Sequence, residues 1–175
     1  STVTPSPYYT TIYTVTGTPG GCTASVTVVV NPLPTVTVSA NITICQGQPT
    51  TLVANGASTY SWSPPAGLSA TTGSMVTASP VSTITYTVTG TSNNGCSGTA
   101  TTTVTVEVMP TASITAAGPV NFCAPGAVTL NANTGTGLSY QWRINGGNIP
   151  GATAASHVAT ASGNYDCIVT NTCGS

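Results

Sequence analysis

The sequence predicts an all-β chain of tandem β-sandwich domains, on three observations. First, one stretch is written twice, 73 or 74 residues apart: Ser6-Pro7, Ile12-Tyr13-Thr14-Val15-Thr16-Gly17-Thr18 and Cys22 return as Ser79-Pro80, Thr85-Tyr86-Thr87-Val88-Thr89-Gly90-Thr91 and Cys96. A fixed period within one chain marks copies of one folding unit. Second, apolar and hydroxyl residues alternate with period two, the pattern of half-buried strands. Third, the alternating runs are short and separated by Gly, Pro and Asn turn chemistry, and no segment keeps a helical period beyond one turn.

The elements follow in order. Thr14–Thr16 and Ser25–Val28 are strands of the first copy, separated by Thr18-Pro19-Gly20-Gly21. Val36–Val38 opens the second copy, and Gln46-Gly47-Gln48-Pro49 turns the chain after it. Tyr60-Ser61-Trp62 and Thr85–Thr91 are further strands, and Ser92-Asn93-Asn94-Gly95 turns into Thr103–Val106. Ser113–Thr115 opens a third copy, in which Cys123, Leu130, Tyr140 and Trp142 echo Cys45, Leu52, Tyr60 and Trp62. Ala124-Pro125-Gly126 and Asn145-Gly146-Gly147 are its turns. Asn31-Pro32-Leu33-Pro34 and Glu107-Val108-Met109-Pro110 sit at the same place in the repeat and read as Pro-stiffened junctions.

The expected division is therefore 1–31, the late part of a first sandwich; 32–109, a complete sandwich; and 110–175, a sandwich lacking its last strand. Two explanations of the partial copies stay open. Either the chain is part of a longer protein, or strands of one subunit complete a domain of the next.

Composition excludes several functions. Charged residues make up 2% of the 175, with one Lys or Arg, two Asp or Glu and one His, where ordinary soluble domains carry about 25%. Phosphate binding needs clustered cations, and Arg143 stands alone, so nucleic acid is not a partner and an anionic membrane surface is not either. No apolar run approaches the roughly 18 residues of a membrane helix, so insertion is not expected. Disorder is disfavoured by the wealth of Val, Ile and Thr. Six Cys spread over repeat positions, with no CxxC pair, point to disulfides and an oxidising extracellular or cell-surface location rather than to zinc.

The middle copy, with Tyr60-Ser61-Trp62-Ser63-Pro64 and Thr85–Thr91, resembles the PKD-like repeats of very large bacterial surface proteins. The third copy is similar to the immunoglobulin-like repeats of the same proteins, through Tyr140-Gln141-Trp142, Asn145-Gly146, Ile149-Pro150-Gly151-Ala152-Thr153 and Ser162-Gly163-Asn164-Tyr165. The resemblance implies tandem immunoglobulin-like and PKD-like β-sandwiches in secreted adhesins or surface filaments, many of them exported by a type IX system. Calcium stiffens many related repeats. No repeat here has the several carboxylates that calcium takes, so no metal is expected.

The constellations that could carry chemistry are few. Trp62 and Trp142 are either aromatic platforms for sugars or the core Trp of each sandwich, and Tyr86 and Tyr165 read as structural tyrosine corners. His157 and Asp166 come without a nucleophile elbow or an oxyanion loop, with His157 on the surface among small residues. Glu107 and Asp166 do not form the carboxylate pair of a glycosidase. No catalytic residue and no cofactor is expected, and the chain is read as no enzyme. Repeat position pairs Cys45 with Cys96 and Cys123 with Cys173. Cys167 is then a buried thiol, and Cys22 bonds a cysteine of the first copy outside this sequence. The rival pairing is Cys123 with Cys167. The expected function is a repeat segment of an extracellular bacterial fibre, filament or stalk, self-associating or joined to neighbouring repeats. The alternative is an adhesin module that binds a glycan or a surface, for which Tyr8, Tyr9 and Tyr13 are the one local aromatic cluster.

Overall fold

A computed structural model describes residues 2–175. Among them every regular element is a strand: β1 (Thr11–Thr16), β2 (Thr23–Val28), β3 (Thr37–Val38), β4 (Ile42–Cys45), β5 (Thr50–Asn55), β6 (Thr59–Ser63), β7 (Met75–Ala78), β8 (Ile84–Thr91), β9 (Ser97–Glu107), β10 (Ile114–Ala116), β11 (Val128–Ala132), β12 (Ser139–Ile144), β13 (Gly147–Asn148), β14 (Ser156–Ala159) and β15 (Tyr165–Thr170). The fold is the all-β sandwich that the alternation predicts, of the immunoglobulin-like kind that the resemblance implies. Two compact units share it. The first comprises the chain up to Asn41, Thr50–Ala78 and Thr85–Thr103; the second comprises Ile42–Pro49, Ser79–Ile84 and Val104–Ser175.

In the first unit, β1 and β2 form an antiparallel hairpin in which Thr11 faces Val28 and Thr16 faces Thr23. A second layer runs β3-β5-β7. In its other sheet β6 and β8 pair antiparallel with Trp62 opposite Val88. The two-residue period decides which side chains are buried. In β8, Tyr86, Val88 and Gly90 point inward while Thr87 and Thr89 alternate away. Leu52, Trp62, Val76, Tyr86 and Val88 form the core, about 1.5–3 kcal/mol for each large side chain withdrawn from water.

Two glycines hold this packing. A Cβ on Gly90 would stand 2.6 Å from Val36 Cγ2 and 2.7 Å from Ala57 Cβ. Gly56 has φ +95°, and a Cβ there would lie 1.9 Å from the Thr35 carbonyl oxygen. Gly56→Ala must adopt a left-handed conformation and push backbone aside. It is expected to destabilise the protein by at least about 2 kcal/mol, read as a lowered midpoint in urea.

In the second unit, β10-β11-β14 faces β13-β12-β15. The core is Val128, Leu130, Ala132, Trp142, Ala159, Cys167 and Val169, the inward positions of β11, β12, β14 and β15. The β12–β13 turn is carried by Asn145 at φ 50° and Gly146 at φ 82°, the positive-φ pair that the Asn-Gly dipeptide signals. β4 also belongs to this unit. Before it, the Ser39 hydroxyl accepts the Val53 N–H at 2.8 Å, standing in for a ladder carbonyl. β4 then pairs in parallel with the end of β9, with Ile42 facing Val104 and Cys45 facing Glu107.

Candidate functional site

The aromatic residues singled out from the sequence are structural in their surroundings. Trp62 is 3% exposed and Trp142 fully buried. Each indole N–H donates to a backbone carbonyl at 2.9 Å, from Trp62 to Gly73 and from Trp142 to Ala154. Neither ring offers a face to a sugar. Tyr86 is fully buried, and its hydroxyl donates to the Ala66 carbonyl at 2.6 Å. Burial pushes its phenol pKa up. Tyr165 is half-buried against the core of the second unit, and its hydroxyl donates to the Ala161 carbonyl four residues upstream at 3.1 Å, the bond of a tyrosine corner. Tyr8 and Tyr9 are exposed at 90% and 82%, and Tyr13 is half-buried in β1.

His157 departs from expectation. It is half-buried, its ring centroid 5.7 Å from those of both Trp142 and Tyr165, within the range of favourable aromatic pairs. Its small neighbours in sequence concealed partners supplied by other strands. Asp166 is engaged by Arg143, whose Nε donates to Oδ2 at 2.7 Å while a terminal guanidinium nitrogen donates to the same oxygen. Among the described residues no three His, Cys, Asp or Glu side chains gather as a metal site. Arg143 is the one tryptic site in the chain, next to the end of β12 and paired with both β13 and β15. The folded protein is therefore expected to survive trypsin until local opening exposes it; fast cleavage at Arg143 would mean that β12 frays.

The cysteines define the site with most chemical content, and there the structure corrects the sequence. Cys45 is bonded to Cys173, with Cα atoms 5.4 Å apart. The expected pairs Cys45–Cys96 and Cys123–Cys173 do not form, nor does Cys123–Cys167; Cys22, Cys96, Cys123 and Cys167 are free thiols. The reason is strand direction. Because β4 runs parallel to β9, Cys45 ends opposite Glu107, whereas Cys96 precedes the other end of β9. At about 3.3 Å per residue that is roughly 35 Å, far beyond the ~7 Å limit of a disulfide. Cys123 is likewise separated from Cys173 by β15: its neighbours Phe122 and Ala124 line one cavity with Tyr165, where the strand begins, and Cys173 follows its end.

Around the disulfide, the Cys173 sulfur lies 3.8 Å from the Glu107 carbonyl oxygen. Asn171 Nδ2 donates to the Val108 carbonyl at 2.7 Å, and the Thr172 hydroxyl donates to the Glu107 carboxylate at 2.5 Å. The sulfur–carbonyl contact and an Asn side-chain bond to the linker recur at the preceding linker. There the Cys96 sulfur lies 3.8 Å from the Asn31 carbonyl oxygen, and Asn94 Nδ2 donates to Asn31 Oδ1 at 3.1 Å. The turns Asn171-Thr172-Cys173 and Asn94-Gly95-Cys96 thus each fold back onto a linker. The shared Asn-x-Cys spelling was the signal in the sequence.

Cys167 is buried on β15 opposite Trp142. Burial raises its thiol pKa; a hydrogen bond from the Gln141 backbone opposes this, and the Asp166 charge adds to it. In the isolated 175-residue chain, native alkylation should modify the exposed Cys22 and Cys123 and spare Cys167 until denaturant is added; early modification of Cys167 would show an open core. Because folding favours the neutral thiol, its contribution to stability is complete below the ordinary thiol pKa near ~8.5 and is lost as pH rises through the folded value.

Fold and site together define an immunoglobulin-like chain in which a disulfide secures a linker between sequence repeats. Residues 33–110 match the model of the family described as Ig-like domain CHU_C associated. No curated protein is similar enough to count as a relative. Among solved structures, the chain is similar to Drosophila OTK extracellular domains 3–5 at 13% identity and TM-score 0.49, covering 88% of this chain and 63% of that one. It is similar to titin domains A168–A170 at 12% identity and TM-score 0.47, covering 94% and 70%. For a Ca2+-stabilized adhesin of an Antarctic bacterium the values are 14% identity, TM-score 0.33, and 93% and 48% coverage. Likeness at this level carries no argument about what the chain binds.

Proposed function

We propose that this chain is a structural segment of a bacterial extracellular fibre or cell-surface stalk, exported by a type IX route and divided along its repeats as 1–31, 32–109 and 110–175. The observation that supports this best is the recurrence of one junction: an Asn-x-Cys turn folded onto a linker, at Asn31 and again at Glu107–Val108. A turn held against each linker suits a spacer, whereas a catalyst has no need of it. The near absence of charge fits the same role. Contacts between Thr- and Val-bearing faces bury no unpaired ion, and such contacts are insensitive to ionic strength.

The test is electron microscopy and sedimentation of the native material from millimolar to molar salt. Elongated particles with an axial repeat, unchanged by salt, are expected. Dissociation into monomers as salt rises, or monomers throughout, would sink the fibre reading. The second reading, a glycan- or surface-binding adhesin module, draws on the exposure of Tyr8 and Tyr9; binding to a glycan array that is lost in Y8A/Y9A would favour it.

A further inference from the structure

We propose that the array is crosslinked by a staggered disulfide series, in which the first cysteine of each repeat bonds the second cysteine of the following repeat. This rests on the tandem-repeat reading above. By repeat position Cys45 and Cys123 are first cysteines, and Cys22, Cys96 and Cys173 are second ones. The observed bond joins the first cysteine of the middle repeat to the second cysteine of the next. The rule therefore assigns Cys96 to the first cysteine of the repeat before it, and Cys123 to the second cysteine of a repeat after it. Cys22 extends the series by one more step. These three are free here, and each partner lies in a repeat position that residues 2–175 do not contain.

Two observations beyond the cysteines support this. At the first linker, Cys96 already holds the position that Cys173 holds at the second, 3.8 Å from the linker carbonyl. What remains to be supplied is a strand like β4 running parallel to β2, ending opposite Asn31. By the register of β4 on β9 it would pair with residues 28–31, of which Val29 is 62% exposed. At the other end, Val120, Phe122 and Cys123 occupy the repeat positions of Ile42, Ile44 and Cys45. Ile44 is buried where β4 pairs with β9, whereas Val120 is 68% and Phe122 39% exposed. Val120 and Phe122 line a cavity of about 710 Å³ together with Leu130 and Tyr165. Among the described residues β15 has no neighbour on its outer edge, the side on which β8 has β9. A strand of the β9 type, from a further copy of the repeat, fits between that edge and Val120–Phe122. It would bring its linker beside Cys123, as β9 brings Glu107 beside Cys45.

Each bond forms by oxidation of two thiols. The sulfurs join through a mixed disulfide, and the two electrons and two protons of the thiols pass to a protein disulfide of the export compartment, which becomes a dithiol.

The native assembly should be quenched with N-ethylmaleimide, digested with pepsin without reductant and mapped by mass spectrometry. Expected are the Cys45–Cys173 peptide, Cys22, Cys96 and Cys123 each joined to a cysteine of an adjacent repeat, and Cys167 alone as a thiol. Recovery of Cys45–Cys96, Cys123–Cys173 or Cys123–Cys167, or of Cys22, Cys96 and Cys123 as maleimide adducts, would overturn the series. A non-reducing gel separates the sources of the partner: one band for repeats of a single polypeptide, a reductant-sensitive ladder for separate copies. Failure here is distinct from failure of the fibre. Bonds within repeats in a long particle would remove only the series, while the staggered bonds in a monomeric particle would remove only the fibre.

Discussion

Replacing both Cys45 and Cys173 by Ser should produce the largest loss of stability of any surface-accessible change in the chain. The bond closes a loop with a sequence separation of 128, which on the loop-entropy account is worth about 4–5 kcal/mol. The double variant leaves no half-pair to mispair, so the comparison is with the oxidised parent, in urea, by tryptophan fluorescence. A lowered midpoint is expected, and reductant should bring the parent down to the same value. A parent insensitive to reductant, with the variant unfolding at the same urea concentration, would show that the crosslink contributes nothing.

Trp142→Ala should unfold the second unit outright or nearly so. The indole is fully buried, packs with His157, and donates to the Ala154 carbonyl. Truncating a core aromatic costs about 3–5 kcal/mol, and the orphaned carbonyl adds about 1 kcal/mol or more. Trp142→Phe separates the two contributions in large part, because it keeps a six-membered aromatic ring in the core and loses the donor. The readout is amide exchange of β12 and β15, which should become fast in the Ala variant and stay slow in the Phe variant. Slow exchange in both would place the core elsewhere.

The fold was largely legible, because burial in a strand follows a period of two and the period survives in the letters. Thr85–Thr91 and Thr103–Val106 became parts of β8 and β9, and the Tyr-x-Trp spelling found both core indoles. What the letters did not carry was which strand lies beside which. Repeat alignment says that Cys45 and Cys123 are equivalent and that Cys96 and Cys173 are equivalent; it says nothing of proximity. The parallel entry of β4 beside the end of β9 sends Cys45 away from Cys96, and no local residue pattern encodes that direction. His157 was misplaced for the same reason: Ala154, Ala155 and Ser156 suggested solvent, while Trp142 and Tyr165 reach it from strands distant in sequence. Arg143 and Asp166 stand directly opposite on β12 and β15, a cross-strand pair visible only once register is known.

The bond between Cys45 and Cys173 also changes how the chain transmits a pull. Tension applied before Cys45 and after Cys173 passes through the sulfur bridge and bypasses everything between. The sandwich of the second repeat beyond β4 and the whole of the third can lose their structure without lengthening the molecule. At roughly 3.5 Å per extended residue, the 128-residue separation withholds on the order of 450 Å of contour. Only reduction would release that slack, so the same strand direction that defeated the alignment makes this stretch of the molecule nearly inextensible.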